Sequence, residues 1–310
     1  MADGGRPRVL VTGGAGFIGR RLVKALQDLG AEVTVADKHP PRDPDVRAVV
    51  GDLCDPSVAD QAVSPGTDAV MHLAAVTSVL RSIEDPVETY RTNVDVTATL
   101  LELARNRGVA AFLLASTNAV VGNVGRKVIT EQTPARPLTP YGGTKAAAEM
   151  LLSYYSASYG VAGCALRFSN VYGPGMEAKD SFVPRLMRAA RDGRGVQVYG
   201  DGNQVRDLIH VDDIVAGILT AWRARATGPL ILGAGESLTV NDILLAARSV
   251  TGAPLPAEHI PPKPGEMPAV IVDISAARAL GYSPSCDLKS GLATVWPDFA
   301  AGAEAAVTAP

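Results

Sequence analysis

The chain has 310 residues, with 29 Lys and Arg against 32 Asp and Glu, a formal net charge of −3. Apolar residues make up 47% and charged residues 20%, which excludes a disordered chain or a basic nucleic-acid binder and leaves ample core. Three widely spaced cysteines (Cys54, Cys164, Cys286), four scattered histidines, no apolar signal core in Met1 to Arg8 and no run near the ~20 apolar residues of a membrane span predict a reduced, metal-free cytoplasmic protein.

Val9, Leu10 and Val11 read as a strand buried on both faces. Gly13, Gly16 and Gly19 follow at three-residue spacing, and Phe17, Ile18, Leu22, Val23 and Leu26 then recur at helical spacing up to Gly30. The glycines therefore sit where a strand turns into a helix. Unpaired N–H groups and the positive dipole end make that place a phosphate site, and glycine lets the backbone approach. A tight turn without a ligand is the bland alternative. Glu32 to Asp37 shifts the balance, because it ends in a carboxylate about 20 residues beyond the turn, where a dinucleotide fold holds the adenosine ribose. A carboxylate repels a 2′-phosphate, so NAD is expected rather than NADP. Lys38 and Arg42 nearby carry the opposite sign.

Further strands are predicted at Arg47–Val50, Thr67–Leu73, Ala110–Ala115 and Val161–Arg167, with long helices at Pro86–Arg107 and Tyr141–Tyr159. Such alternation predicts an α/β fold, a Rossmann-type doubly wound parallel sheet with its ligand at the carboxyl ends of the strands. After Asn170 the helices shorten: Phe182–Arg191, Asp212–Trp222, Val240–Val250 and Ser275–Leu280, with strands at Val196–Tyr199 and Pro229–Leu232. Residues 1–170 are expected to form the NAD-binding domain. Residues 171–310 are expected to form mainly a smaller substrate-binding lobe, interleaved with the first, with a frayed tail from Ala300 to Pro310.

Tyr141 and Lys145 fall four apart on one helix face. An ammonium beside a phenol lowers its pKa from about 10, which makes a usable general base. An amphipathic surface pair is the alternative for such spacing taken alone. Ser116 and Thr117 end the fifth strand at the same cleft, although both also read as turn caps. Arg206 offers a guanidinium to a diphosphate, or an ion pair to Asp207.

Taken in order, Thr12–Gly19, Gly51–Leu53, His72–Ala75, Asn93–Val94, Ser116–Thr117, Tyr141–Lys145, Leu166–Pro174, Gly200–Val211 and Pro264–Glu266 resemble the extended short-chain dehydrogenase/reductase family. The likeness is to its nucleotide-sugar epimerases and dehydratases, and it covers nearly the whole chain. It implies that Gly13, Gly16, Phe17 and Ile18 cradle the NAD pyrophosphate, and that Asp37, with Lys38 beside it, holds the ribose. Asp52 and Leu53 would border the adenine, and Leu73, Ala74, Ala75 and Phe168 would line the cofactor. Thr117, Tyr141 and Lys145 would be catalytic, Lys145 also binding the nicotinamide ribose. Thr77, Ser116, Asn118 and Lys179 would face the substrate. Asn170, Arg206 and, more loosely, Lys263 would hold its diphosphate, with Val183, Val198 and Tyr199 near the nucleobase.

Departures from the family pattern narrow the reaction. The family's dehydratases place an Asp-Glu pair where this chain has Asn118 and Ala119, and its sugar-acid decarboxylases place a glutamate at Ala119. Neither residue here can move a proton. Reversible oxidation at C4 remains, so the resemblance implies a UDP-sugar (more broadly NDP-sugar) 4-epimerase. A dehydratase or 4-ketoreductase is the alternative, and a non-catalytic dinucleotide sensor the rival from another class. Val270 stands where hexose-restricted epimerases have tyrosine, and Lys179 where acid-sugar epimerases have arginine. Together they favour a neutral hexose with a bulky substituent over a uronic acid. Relatives commonly pair through two long helices, so a homodimer is expected, with Val96, Leu100, Met150, Leu151 and Tyr154 on the outer faces.

Overall fold

The alternation of β1 (Arg8–Thr12) sets the architecture: Val9 and Val11 pack into one core and Leu10 into another, on opposite faces of one sheet. The computed structural model describes residues 5–261 and 267–307, with side chains to residue 300. Lys263 and the Pro264–Glu266 motif lie outside the described residues. After β1 come β2 (Glu32–Asp37), β3 (Arg47–Val50), β4 (Ala69–His72), β5 (Ala111–Thr117), β6 (Val128–Ile129), β7 (Ala162–Phe168) and β8 (Asn170–Tyr172). The second half adds β9 (Val196–Tyr199), β10 (Val205–Arg206), β11 (Leu208–His210), β12 (Gly228–Leu232), β13 (Leu238–Thr239), β14 (Ala257–Ile260) and β15 (Ile271–Val272). Seven strands form the central sheet in the order β12-β7-β5-β4-β1-β2-β3. Every neighbouring pair is parallel. The order reverses at β1, which opens a crevice at its carboxyl end.

Helices cover both faces. One core takes Leu22, Val23 and Leu26 from α1 (Gly19–Asp28). The opposite core takes Ala59 and Ala62 from α2 (Pro56–Ala62), a helix the sequence reading missed although Asp55 caps it and Pro56 starts it. Also unforeseen is α3 (Val79–Glu84), capped by the Ser78 hydroxyl, which accepts from Arg81 N at 3.2 Å. The long helix expected over Pro86–Arg107 is instead α4 (Pro86–Tyr90), a π-helical segment (Arg91–Asp95) and α5 (Val96–Asn106). The bulge turns Val96 (3% exposed) and Leu100 (0%) into the core, so neither lies on an outer face as expected. Met150 and Tyr154, on α6 (Pro140–Tyr159), are exposed, and Leu151 packs partly against the core.

A third core gathers apolar residues from α7 (Phe182–Arg191) and, after α8 (Val211–Arg223), from α9 (Val240–Thr251). Following α10 (Ser275–Ala279), α11 (Leu288–Val307) adds Leu292, Val295 and Phe299 to it. The helix α11 runs through most of the tail expected to fray. The chain returns to the central sheet from this second half, because β12 pairs with β7 and α8 packs Ile214, Val215 and Ile218 on the α1 face.

Candidate active site

The turn after β1 explains its glycines. Gly13 adopts φ +70°, and a Cβ there would lie 2.8 Å from the Ala74 nitrogen. A Cβ on Gly19 would lie 2.1 Å from the Gly13 carbonyl oxygen, so the first turn of α1 rests on the backbone of the loop. Beside this turn, at the carboxyl ends of the strands, lies a cleft of about 590 Å³. Gly13, Gly16, Phe17 and Ile18 line it where the helix N-terminus points. The cradle has the shape and the free backbone that a dinucleotide diphosphate requires.

Asp37, at the end of β2, accepts from Ala15 N at 3.0 Å and from His39 N at 3.1 Å, which fixes its carboxylate at the rim of the loop. Lys38 does not stand free for a 2′-phosphate: its Nζ lies 2.9 Å from Asp52 Oδ2. That bond raises the Lys38 pKa, while the Cys54 amide first, and then Lys38, hold Asp52 below the usual carboxylate range. Asp52 and Leu53 line one part of the cleft. Leu73, Ala74, Ala75, Thr77, Phe168 and Lys179 line others.

Thr117, Tyr141 and Lys145 meet in this cleft. Thr117 ends β5. Pro140 opens α6 and Thr139 caps it, its hydroxyl accepting from Gly142 N at 3.2 Å, which brings Tyr141 to the helix start. The Tyr141 phenol and the Thr117 hydroxyl both face this cleft. Burial raises the pKa of the phenol, and Thr117 opposes the rise. The expected lowering of the phenol by the Lys145 ammonium is not found: desolvation is the largest effect and raises it. Lys145 is 2% exposed, and burial lowers it to about 8 against the opposing charge of Glu149.

Asn93, in the π segment, is 1% exposed and ties the walls together. Its Oδ1 accepts from Val76 N at 2.8 Å, and its Nδ2 donates to Val76 O and to Thr144 Oγ1, both at 3.0 Å. Thr144 in turn donates to Tyr141 O at 2.9 Å. Behind the cleft, buried His72 bridges Thr12 Oγ1 at 2.7 Å and Thr97 Oγ1 at 3.0 Å. Thr97 spends its proton on Asn93 O, which assigns the His72 proton to Nε2. Burial takes His72 down to about 3, so the ring is neutral.

Other expected contacts lie elsewhere. Asn118, Asn170, Val183, Val198, Tyr199 and Arg206 do not line this cleft. Val183 and Val198, each 2% exposed, are core residues of the second half and present no surface to a nucleobase. Val270 is likewise buried, 6% exposed, and packs in the core beneath β1. The Ser116 hydroxyl lines the cleft but donates to Glu149. Asn118 is 8% exposed, and neither atom of its amide finds a protein partner. Asn170 donates to Asp207 O at 3.0 Å, and Arg206 to Val205 O at 2.8 Å. Missing from the sequence reading are Ser78, Arg81, Glu88 and Thr92, which line the cleft through α3, α4 and the π segment. The Arg81 Nη2 donates to both Glu88 oxygens, at 2.7 and 2.8 Å. The cap residue Ser78 was the one local signal for them.

Comparison with known proteins shows the family. A family model described as the NAD dependent epimerase/dehydratase family matches residues 9–233. A dTDP-glucose 4,6-dehydratase of Streptomyces griseus is 36% identical over 303 residues, 92% of each chain. The UDP-glucose 4-epimerase of Thermus thermophilus, solved with NAD, superposes with a TM-score of 0.86 at 33% identity, covering 94% of this chain and 98% of the other. MoeE5, solved with UDP-glucuronic acid and NAD, gives 0.86 at 35% identity, with the same two coverages. The family model covers most of the chain and the relatives match it nearly end to end: the chain belongs to the NAD dependent epimerase/dehydratase family.

Proposed function

We propose that the protein is an NAD-dependent UDP-sugar 4-epimerase. The observation that carries this reading is the acid–base set Thr117, Tyr141 and Lys145 in one cleft, with amide and methyl side chains, Asn118 and Ala119, in the two positions after Thr117. A dehydratase must move protons at C5 and C6, and nothing at those two positions can. This outweighs the name of the Streptomyces relative.

Bound NAD supplies a hydride acceptor that returns the hydride. Gly13, Gly16, Phe17 and Ile18 hold its diphosphate and Asp37 its adenosine ribose. Lys38 is engaged by Asp52, which fits NAD better than NADP. Tyr141 takes the C4 hydroxyl proton, directly or through Thr117, and gives it back after the 4-keto sugar has turned over. Lys145 steadies the phenolate and the nicotinamide ribose. Fixed alignment supplies much of the rate. Residues 1–170 mainly hold the cofactor. Asn170 and, from residues 171–310, Arg206 and Lys263 hold the substrate diphosphate, with Tyr199 towards the base.

One observation favours a uronic acid over the neutral hexose expected from the sequence: Lys179 lines the cleft with its Nζ 5.3 Å from the Phe17 ring centre and has no carboxylate partner among the described residues. MoeE5 was solved with UDP-glucuronic acid and also with UDP-glucose, so it does not choose between them. A panel of UDP-glucose, UDP-N-acetylglucosamine and UDP-glucuronate, resolved by proton NMR, decides the sugar. Loss of glucuronate turnover alone in Lys179→Ala supports the acid reading. NAD-bound protein that leaves every nucleotide sugar unchanged defeats the epimerase and favours a sensor.

A homodimer fits the exposed apolar face of α3, α4 and α6, where Leu80 is 63% exposed, Ile83 58%, Val87 60% and Met150 74%. A monomer mass in light scattering at micromolar concentration refutes it. Free Cys54, Cys164 and Cys286 accord with a reducing, cytoplasmic setting.

A further inference from the structure

The helix that carries Tyr141 and Lys145 continues to Glu149, one turn on and on the same face. Its carboxylate meets Arg167 of β7: Arg167 Nε lies 3.1 and 3.2 Å from the two oxygens, and Nη2 lies 2.7 Å from Oε2. The two side chains are only 11% and 7% exposed. Arg167 Nη1 also donates to Glu131 O at 3.2 Å. On the neighbouring strand, Ser116 is the register partner of Arg167 and donates its hydroxyl to the same carboxylate. Ser116 precedes Thr117, so the pair lies directly beneath the acid–base set.

Charge explains why a buried ion pair belongs here. Lys145 is buried and needs a nearby anion to stay an ammonium. Glu149 is the group that opposes its desolvation, yet the carboxylate is bonded to Arg167 and Ser116, and no direct Lys145–Glu149 ion pair forms among the described residues. With Arg167, Glu149 and Lys145 all charged, the cluster has a net charge of one positive unit, which suits an anion at Tyr141. Without Arg167 the carboxylate would be free to turn to Lys145 and cancel its field. Without Glu149 two buried cations would face each other. Among the described residues, Glu149 is the acid that opposes this desolvation. Around Lys145 the sheet brings His72 from β4 and Arg167 and Cys164 from β7. His72 is neutral, and burial pushes the Cys164 thiol up to about 12. The buried polar groups of α5 and the π segment, Thr97 and Asn93, do not titrate.

We propose that Glu149 and Arg167 are positioning residues that set the charge of Lys145: Glu149 keeps the ammonium protonated in a dry wall, and Arg167 engages that carboxylate so the ammonium's field stays on Tyr141. The proposal rests on the acid–base reading of Tyr141 and Lys145. The experiment compares Glu149→Gln, Arg167→Gln and the double variant with the parent as NAD-loaded protein. Two readouts are used: the pH profile of turnover, and an ultraviolet difference titration of the Tyr141 phenol against Tyr141→Phe. Glu149→Gln is expected to move the basic limb of the profile down by about one pH unit or more and the phenol titration up. Arg167→Gln is expected to move the basic limb up. The double variant buries no unpaired charge from this pair and carries the test if a single variant fails to fold; its basic limb falls, by less than in Glu149→Gln. Unmoved limbs and an unmoved phenol titration in folded variants, with only stability or rate amplitude changed, overturn the proposal. The phenol titration needs no sugar, so a protein that epimerises nothing still tests it.

Discussion

Gly19→Ala tests the cofactor cradle at its tightest point. Gly19 stands at the first position of α1, so its backbone suits any residue, and the whole effect of the added methyl is steric. The new Cβ would lie 2.1 Å from Gly13 O, 2.7 Å from Gly14 Cα and 2.9 Å from Gly13 C. All three are backbone atoms, so no side chain can swing aside. Gly13 O already accepts from Gly16 N at 3.1 Å, and Gly13 N donates to Ala36 O at 2.8 Å. Moving the carbonyl by the roughly 1 Å needed strains both bonds. Overpacking of this kind costs about 1–3 kcal/mol. On the proposed reading the loop from Gly13 to Ile18 holds the diphosphate, so its displacement should lower NAD affinity about tenfold or more, since each tenfold is ~1.4 kcal/mol. Urea unfolding of the apo protein and calorimetric titration with NAD measure the two effects. An unchanged unfolding midpoint together with parental NAD affinity would refute the reasoning.

Gly143→Ala should do the reverse: a Cβ there meets nothing within 4 Å, and alanine in a helix interior gains up to about 1 kcal/mol, read as a raised urea midpoint. Asp207 is 1% exposed and accepts from Ser169 Oγ, Ala234 N at 3.0 Å and Gly235 N at 2.8 Å. Asp207→Ala strands these donors and should cost about 3 kcal/mol or more in the same assay. Tyr141→Phe should lower turnover by roughly 10²-fold or more with NAD still bound, seen in stopped assays beside an NAD titration. Lys145 titrates near 8 in the folded apo protein against 10.5 unfolded, so the native state binds fewer protons between those values. Its desolvation penalty is therefore present in full below pH 8 and relieved as pH rises towards 10.5. The apo protein should gain stability against Lys145→Met across that window, while turnover falls above about pH 8.

What could be read in the sequence was local. The glycine spacing after β1, the carboxylate ending β2 and the Tyr141–Lys145 interval follow from the 3.6- and 2-residue periods and from strand ends. The other cofactor residues came from the family resemblance, and all of them lie on the wall of the same cleft. The π segment was illegible, because an α period runs through it unbroken; what opens the helix is the tertiary bond of Asn93 to Val76. Val183 and Val198, expected near the nucleobase, are buried instead, since a valine on a core and a valine on a ligand look alike in sequence. The Glu149–Arg167 pair joins residues 18 apart through the sheet register. Only the four-residue step from Lys145 to Glu149 hinted at it.

The central claim is C4 redox chemistry without elimination, and the mass of the product in heavy water tests it most directly. With the nucleotide sugar that turns over, the account predicts an epimer of unchanged mass and no deuterium on carbon, because the hydride leaves and returns inside the cleft. A product lighter by one water, carrying solvent deuterium, would show that Asn118 and Ala119 do not exclude elimination and would contradict the account.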